Sequence, residues 1–110
     1  MQESIKNVLR RIEGGIQTRG DEIAWPLDVV PSVLEAASLN HWIALGGDVL
    51  TPELKHTYDN WYYQPNPHML LAENVANSIQ KASSYIADYS RRNGKDYLYV
   101  IVLSDIYIDR

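Results

Sequence analysis

Cysteine is missing from all 110 residues, and so is phenylalanine. Without cysteine there is no disulfide framework, no thiolate nucleophile and no zinc ribbon. The aromatic rings come from eight Tyr and three Trp, so each carries a polar atom. Such rings suit sites with one dry end and one wet end. That describes an interface, or a small domain whose core lies close to its surface. No apolar run approaches the roughly 20 residues that span a bilayer. The opening Met1-Gln2-Glu3-Ser4-Ile5-Lys6 lacks the basic and apolar regions of a secretory signal. These gaps point to a soluble chain in the reducing cytoplasm with no membrane partner.

Lys and Arg are missing from one long stretch. Between Asp21 and Leu54 there is no base, while six acids occur: Asp21, Glu22, Asp28, Glu35, Asp48 and Glu53. The rest of the chain carries eight acids and ten bases, and the net charge is −4. Nucleic-acid binding needs a positive footprint, so no nucleic-acid partner is expected. An acidic middle on a weakly basic frame would attract a basic protein and speed encounter. A plain solvated surface would have the same composition.

What is present suffices for one domain. Hydrophobic residues make up 45%, which supports a real core, and the length is that of a common single domain. Residues 1–110 are therefore read as a single α+β domain. Ile5, Val8, Leu9 and Ile12 recur at helical spacing, with Ser4 or Glu3 to start the helix and Gly14-Gly15 to stop it. Residues 16–26 show no clear period. Thr18-Arg19-Gly20-Asp21 reads as a turn, and Pro26 forces Trp25 into an extended conformation. Asp28 is placed to cap a helix over about 29–39, with Pro31 in its first turn and Asn40 at its end.

His41–Leu50 and Tyr58–Tyr63 read as strands, the first interrupted by Gly46-Gly47. Asn66 and Pro67 suit the start of a long helix. Its stripe is Leu71, Val75, Ile79, Ala82, Ile86 and Tyr89, and Asn93-Gly94 stops it. Tyr97–Ile108 is a strand whose unbroken apolar centre predicts a central position with helices on both faces. The expected fold is α+β: a mainly antiparallel sheet of three to four strands with about three helices.

Patterns that carry catalysis are scarce. His41, His56 and His68 fall in no metal-ligand spacing. No serine sits in a nucleophile elbow, and neither glycine pair has the further glycines and Lys of a phosphate loop. No catalytic residue, metal or cofactor is expected. Asp48 stands out because it follows Gly46-Gly47 late in an apolar strand. It could accept hydrogen bonds from a partner's Arg or Lys, or cap its own turn. With His41, Asp59 or Asp105 beside it, it could also serve a small enzyme. In 58–63, strand alternation puts Asp59, Trp61 and Tyr63 on one face and Tyr58, Asn60 and Tyr62 on the other. One face must be buried. The other could be an aromatic strip for a partner, or pair with its own copy at a sheet edge to give a homodimer.

These residues together have a family likeness. Gly46-Gly47-Asp48-Val49 ends one strand, and Asp59-Asn60-Trp61-Tyr62 follows a short loop, before a helix and an apolar last strand. The arrangement resembles the immunity protein 40 family of bacterial polymorphic toxin systems, over roughly residues 25–105. The resemblance implies a small α+β antidote, made beside a secreted toxin and binding its toxic domain. It implies no catalytic residues.

The function expected is that of an immunity-type protein neutralising a cognate toxin domain through an acidic, Tyr/Trp-rich surface. The toxin domain would be basic, as a nuclease is. Contacts are expected from Asp21, Glu22, Asp28, Glu35, Asp48 and Glu53, with Tyr58, Trp61 and Tyr62 as anchors. Gly46, Gly47 and Asp48 form the structural motif. Two other readings compete: a non-catalytic adaptor or regulatory subunit, and a small enzyme. A secreted toxin gene next door favours immunity, and a metabolic operon favours the adaptor.

Overall fold

Ser4 starts the first helix. Its hydroxyl oxygen accepts from the Asn7 N–H at 3.2 Å, the role of a short polar side chain at a helix start. In the computed structural model, which describes residues 4–105, that helix is α1 (Ile5–Arg10). There follow β1 (Ile16–Gln17), β2 (Ile23–Pro26), α2 (Val30–Leu39), β3 (Ile43–Leu50), β4 (His56–Tyr62), α3 (Leu71–Asn93) and β5 (Leu98–Ser104).

The strands form one antiparallel sheet in the order β1-β2-β5-β3-β4. The α+β expectation holds, with five strands rather than three to four. The additional strands are the hairpin β1-β2. It escaped the sequence pattern because β1 is two residues long and both are exposed. Its turn is closed by Thr18, whose N–H and hydroxyl both donate to the Glu22 carbonyl at 3.1 and 2.9 Å.

Two helix starts differ from expectation. Asp28 makes no capping bond, and α2 begins at Val30 behind Val29. Asn40 does end α2, its amide donating to the Ala36 carbonyl at 2.8 Å. The long helix α3 begins at Leu71, not at Pro67. Asn66 is used otherwise: its side-chain oxygen accepts from the His68 N–H at 2.9 Å. Glu73 caps α3 instead, accepting from the Leu70 N–H at 3.0 Å. A buried Asn74 ties this loop to α3. Its oxygen accepts from the Tyr63 hydroxyl (2.7 Å) and the Asn66 N–H (2.8 Å), and its nitrogen donates to the Asn66 carbonyl (2.9 Å).

Strand register sorts the side chains into two faces. On β5, Tyr99 and Ile101 align with Val49 and Gly47 of β3. Together with Trp25, Ala44 and Trp61 they pack against Val33 and Leu34 of α2 and Ala82, Ile86 and Tyr89 of α3. The alternate residues Leu98 and Val100 join Ala24 and Leu50 on the other face, with Leu54 of the β3–β4 loop against them. β5 is central, as expected, but among the described residues helices cover only one face. Its second face is apolar because a loop covers one end, while Val102 towards the other end is 41% exposed. Positions 106–108 of the expected strand lie outside the described residues.

The glycine pair has a packing reason. Gly47 lies opposite Trp61 in the β3–β4 register. A Cβ there would sit 2.7 Å from Cζ2 of the Trp61 indole, and closer still to the Val100 carbonyl oxygen. Gly46 has φ +153°, and a Cβ would strike the Trp61 carbonyl oxygen. Only glycine lets β3 lie under the indole and between its neighbours. A bulge just before the pair, where the register shifts between Ala44 and Gly46, takes the Ala44 N–H to Ser78. That buried hydroxyl of α3 accepts it at 2.9 Å and donates to the Val75 carbonyl at 2.9 Å.

Candidate functional site

The period of two along β3 turns Gly46, Asp48 and Leu50 away from the helices, in register with Val102, Val100 and Leu98. On β4, Tyr62 lies opposite Gly46, and Asn60 opposite Asp48. Gly46, Asp48, Asn60 and Tyr62 line a groove of about 490 Å³ on the helix-free face, together with Gln64 and Val102.

The groove's polar groups are mostly acceptors. Asp48 is half-buried and is its charged lining residue. No hydrogen bond or ion pair engages the Asp48 carboxylate among the described residues. Asn60 donates its amide nitrogen to the Tyr58 carbonyl at 3.3 Å, which leaves its amide oxygen open. The Tyr62 hydroxyl donates to the Gln64 side-chain oxygen. That bond holds the ring in place although the residue is 62% exposed. The side-chain donors in the lining include the Gln64 and Asn60 amide nitrogens and the buried Trp61 Nε1, which has no partner among the described residues. Such a groove suits a cation rich in N–H donors.

Beside it, β4 carries a second irregularity. Its register with β3 slips between Asn60 and His56. Thr57 bridges the slip, donating to the Val49 carbonyl at 2.8 Å and accepting from the Asp59 N–H at 3.1 Å. Tyr58 sits in this bulge at φ +70°, a conformation that costs about 1–2 kcal/mol for a residue with a Cβ. It is 86% exposed, with the His56 ring 6.1 Å from its own. Strain at an exposed aromatic residue marks a surface position. The bulge also interrupts the edge at which the strand could pair with its own copy.

Trp61 is placed differently from the other anchor candidates. It is 6% exposed and stacks on Tyr85 with centroids 5.1 Å apart. Its anchor role is therefore corrected to a core role. The alternation read from 58–63 otherwise holds at Asp59 to Tyr63. Asp59 accepts from the Tyr89 hydroxyl of α3 at 2.8 Å, on the helix side. Burial, with Asp59 adding to it, pushes the Tyr89 and Tyr85 hydroxyls above their usual range. Burial pushes Tyr99 up to about 12.

The acidic segment does not gather into one patch. Asp21 and Glu22 lie on the β1–β2 hairpin, where Asp21 pairs with Lys6 at 3.2 Å. Glu22 and Glu53 line a cavity of about 640 Å³ shared with Arg19, Lys55 and His56, so charge there is mixed. Asp28 precedes α2 in an exposed turn, and Glu35 borders a groove between α2 and α3. Asp48 alone of the six sits with Tyr62.

The groups a small enzyme would need are also apart. Asp59 faces the helices and Asp48 faces away. Asp48 pairs with Val100, and Asp105 lies five residues further along the chain, about 17 Å at strand spacing. His41 precedes β3 in a turn, at φ +59°, at the same far end of the strand pair. Among the described residues no His, Asp or Glu group of three or more is placed to hold a metal. No helix among them is long and apolar enough to cross a membrane.

Sequence reasoning missed Asn60 as a site residue. The alternation in 58–63 already put it on the face of Tyr62, but the register that sets it against Asp48 needs the fold.

The protein is thus a two-layer α+β domain with one helix-covered and one helix-free sheet face. A family model described as Immunity protein 40 matches residues 9–103, and the chain belongs to that family. No curated protein and no solved structure matches the chain.

Proposed function

We propose that this chain is a cytoplasmic immunity protein of a bacterial polymorphic toxin system, which binds and neutralises a cognate toxin domain without catalysis. Family membership over residues 9–103 carries the reading. The helix-free face supports it with the exposed ring of Tyr62, and with an Asp48 carboxylate and an Asn60 oxygen that no described residue engages; Tyr58 adds an exposed ring on the same strand. Aromatic residues beside a carboxylate free to pair are the composition of a binding hot spot. The docking surface is this face, with Glu53 and Glu22 at its margin. A basic toxin domain, such as a nuclease that holds phosphate, is the complementary partner.

Co-expression with the product of the adjacent gene tests this. The chain should restore growth to cells making that product and should co-purify with it. If it does neither, the immunity reading is wrong.

A further inference from the structure

We infer that the groove above Gly46 receives an arginine side chain of the toxin domain, with Asp48 as its ion-pair partner. This rests on the immunity reading and adds to it the chemistry of the central contact.

Asp48 and Asn60 are direct cross-strand neighbours on one face, so their Cβ atoms are about 5 Å apart. Both present oxygen acceptors that nothing among the described residues uses. A guanidinium is a planar fork with five N–H donors and can bond both oxygens at once. An ammonium is a point charge that would leave the geometry half used. Tyr62 forms the wall and is held by Gln64. Its ring offers a face on which a flat, weakly hydrated cation stacks. Gly46 puts no side chain into the floor, and Val102, 41% exposed, gives the arginine stem an apolar surface. About 490 Å³ is room for the whole side chain. Among the described residues no basic side chain lines the groove to compete for Asp48.

The test uses the full chain and the toxin domain encoded by the adjacent gene, at one fixed salt concentration. Asp48→Asn should weaken binding about tenfold or more, mainly through faster dissociation. Glu13→Gln removes one negative charge from an exposed position after α1, outside the groove lining, and should stay within about twofold. Each arginine of the toxin domain is then replaced by alanine in turn. One of these replacements should lose most of its effect in the Asp48→Asn background, the mark of a direct pair. Asp48→Ser serves the same purpose should the Asn variant lose its thermal transition.

Unchanged affinity of Asp48→Asn overturns the inference while the immunity reading stands. So does strict additivity of Asp48 with every toxin arginine. A dimer of this chain that Asp48→Asn dissociates also overturns it, because the groove then belongs to a second copy. Failure of the parent protein to bind the toxin domain removes the immunity reading itself, and this inference with it.

Discussion

Adding one methyl group at Gly47 should cost this fold more than removing most side chains. In an ordinary strand, glycine to alanine is favourable by about 0.5–1 kcal/mol. Here the new Cβ would lie 2.7 Å from Cζ2 of Trp61 and closer to the Val100 carbonyl oxygen. The indole has little room to retreat, being buried and stacked on Tyr85. The carbonyl belongs to β5, the middle strand of the sheet. Overpacking of this kind costs about 1–3 kcal/mol. Parting β3 from β5 forfeits one or two ladder hydrogen bonds at about 1 kcal/mol each.

The expected loss for Gly47→Ala is therefore about 2–5 kcal/mol, against a typical total of about 5–15. For a domain of this size the midpoint should fall by roughly 10–20 °C. Urea unfolding followed by tryptophan fluorescence reads the difference. The double variant Gly47→Ala/Trp61→Val separates the two obstacles. The carbonyl stays when the indole is gone, so the alanine should still cost about 1 kcal/mol or more in that background. Gly47→Ala within about 1 kcal/mol of the parent would refute the packing argument.

Other outcomes follow from single contacts. Ser78→Ala leaves the Ala44 N–H at the bulge without its buried acceptor, and urea unfolding should show a loss of about 1–3 kcal/mol. Asn74→Ala strips the Tyr63 hydroxyl and the Asn66 N–H of their acceptor. A loss of about 2–3 kcal/mol is expected, with faster backbone hydrogen exchange in 63–70. Tyr99 titrates at about 12 when folded against 10.0 as its ordinary value. Its contribution is thus fully present below pH 10 and is lost as pH rises towards 12. Tyr99→Phe removes a buried hydroxyl that has no partner among the described residues. Thermal melts of that variant should show stability kept or raised by about 1 kcal/mol at neutral pH, and a shallower alkaline decline.

The helices were largely legible because a stripe at helical spacing needs only local order. Val75, Ala82, Ile86 and Tyr89 are buried as their spacing requires. Helix starts were not, because Asn66 and Asp28 have short polar side chains that serve turns as well as caps. The fold uses Glu73 for α3 and no side-chain cap for α2. The β1–β2 hairpin was invisible because two exposed residues hold no pattern. An unbroken apolar run along β5 suggested helices on both faces. It could not distinguish a helix from the Leu54 loop as cover.

By itself, the sequence determined that the chain has no thiol chemistry, that its rings are Tyr and Trp, and that Gly-Gly-Asp precedes a Trp-bearing strand. It also determined which residues of that second strand share a face, since alternation is a local property of an extended chain. Only the tertiary structure decided what those features do. Register set Gly47 against Trp61, which turned an anchor into core, and Asp48 against Asn60, which made a groove of acceptors. It also scattered six acids that are neighbours in the sequence over different surfaces. Register and strand order come from long-range pairing, summed over the whole sheet, and no short stretch of sequence contains that sum.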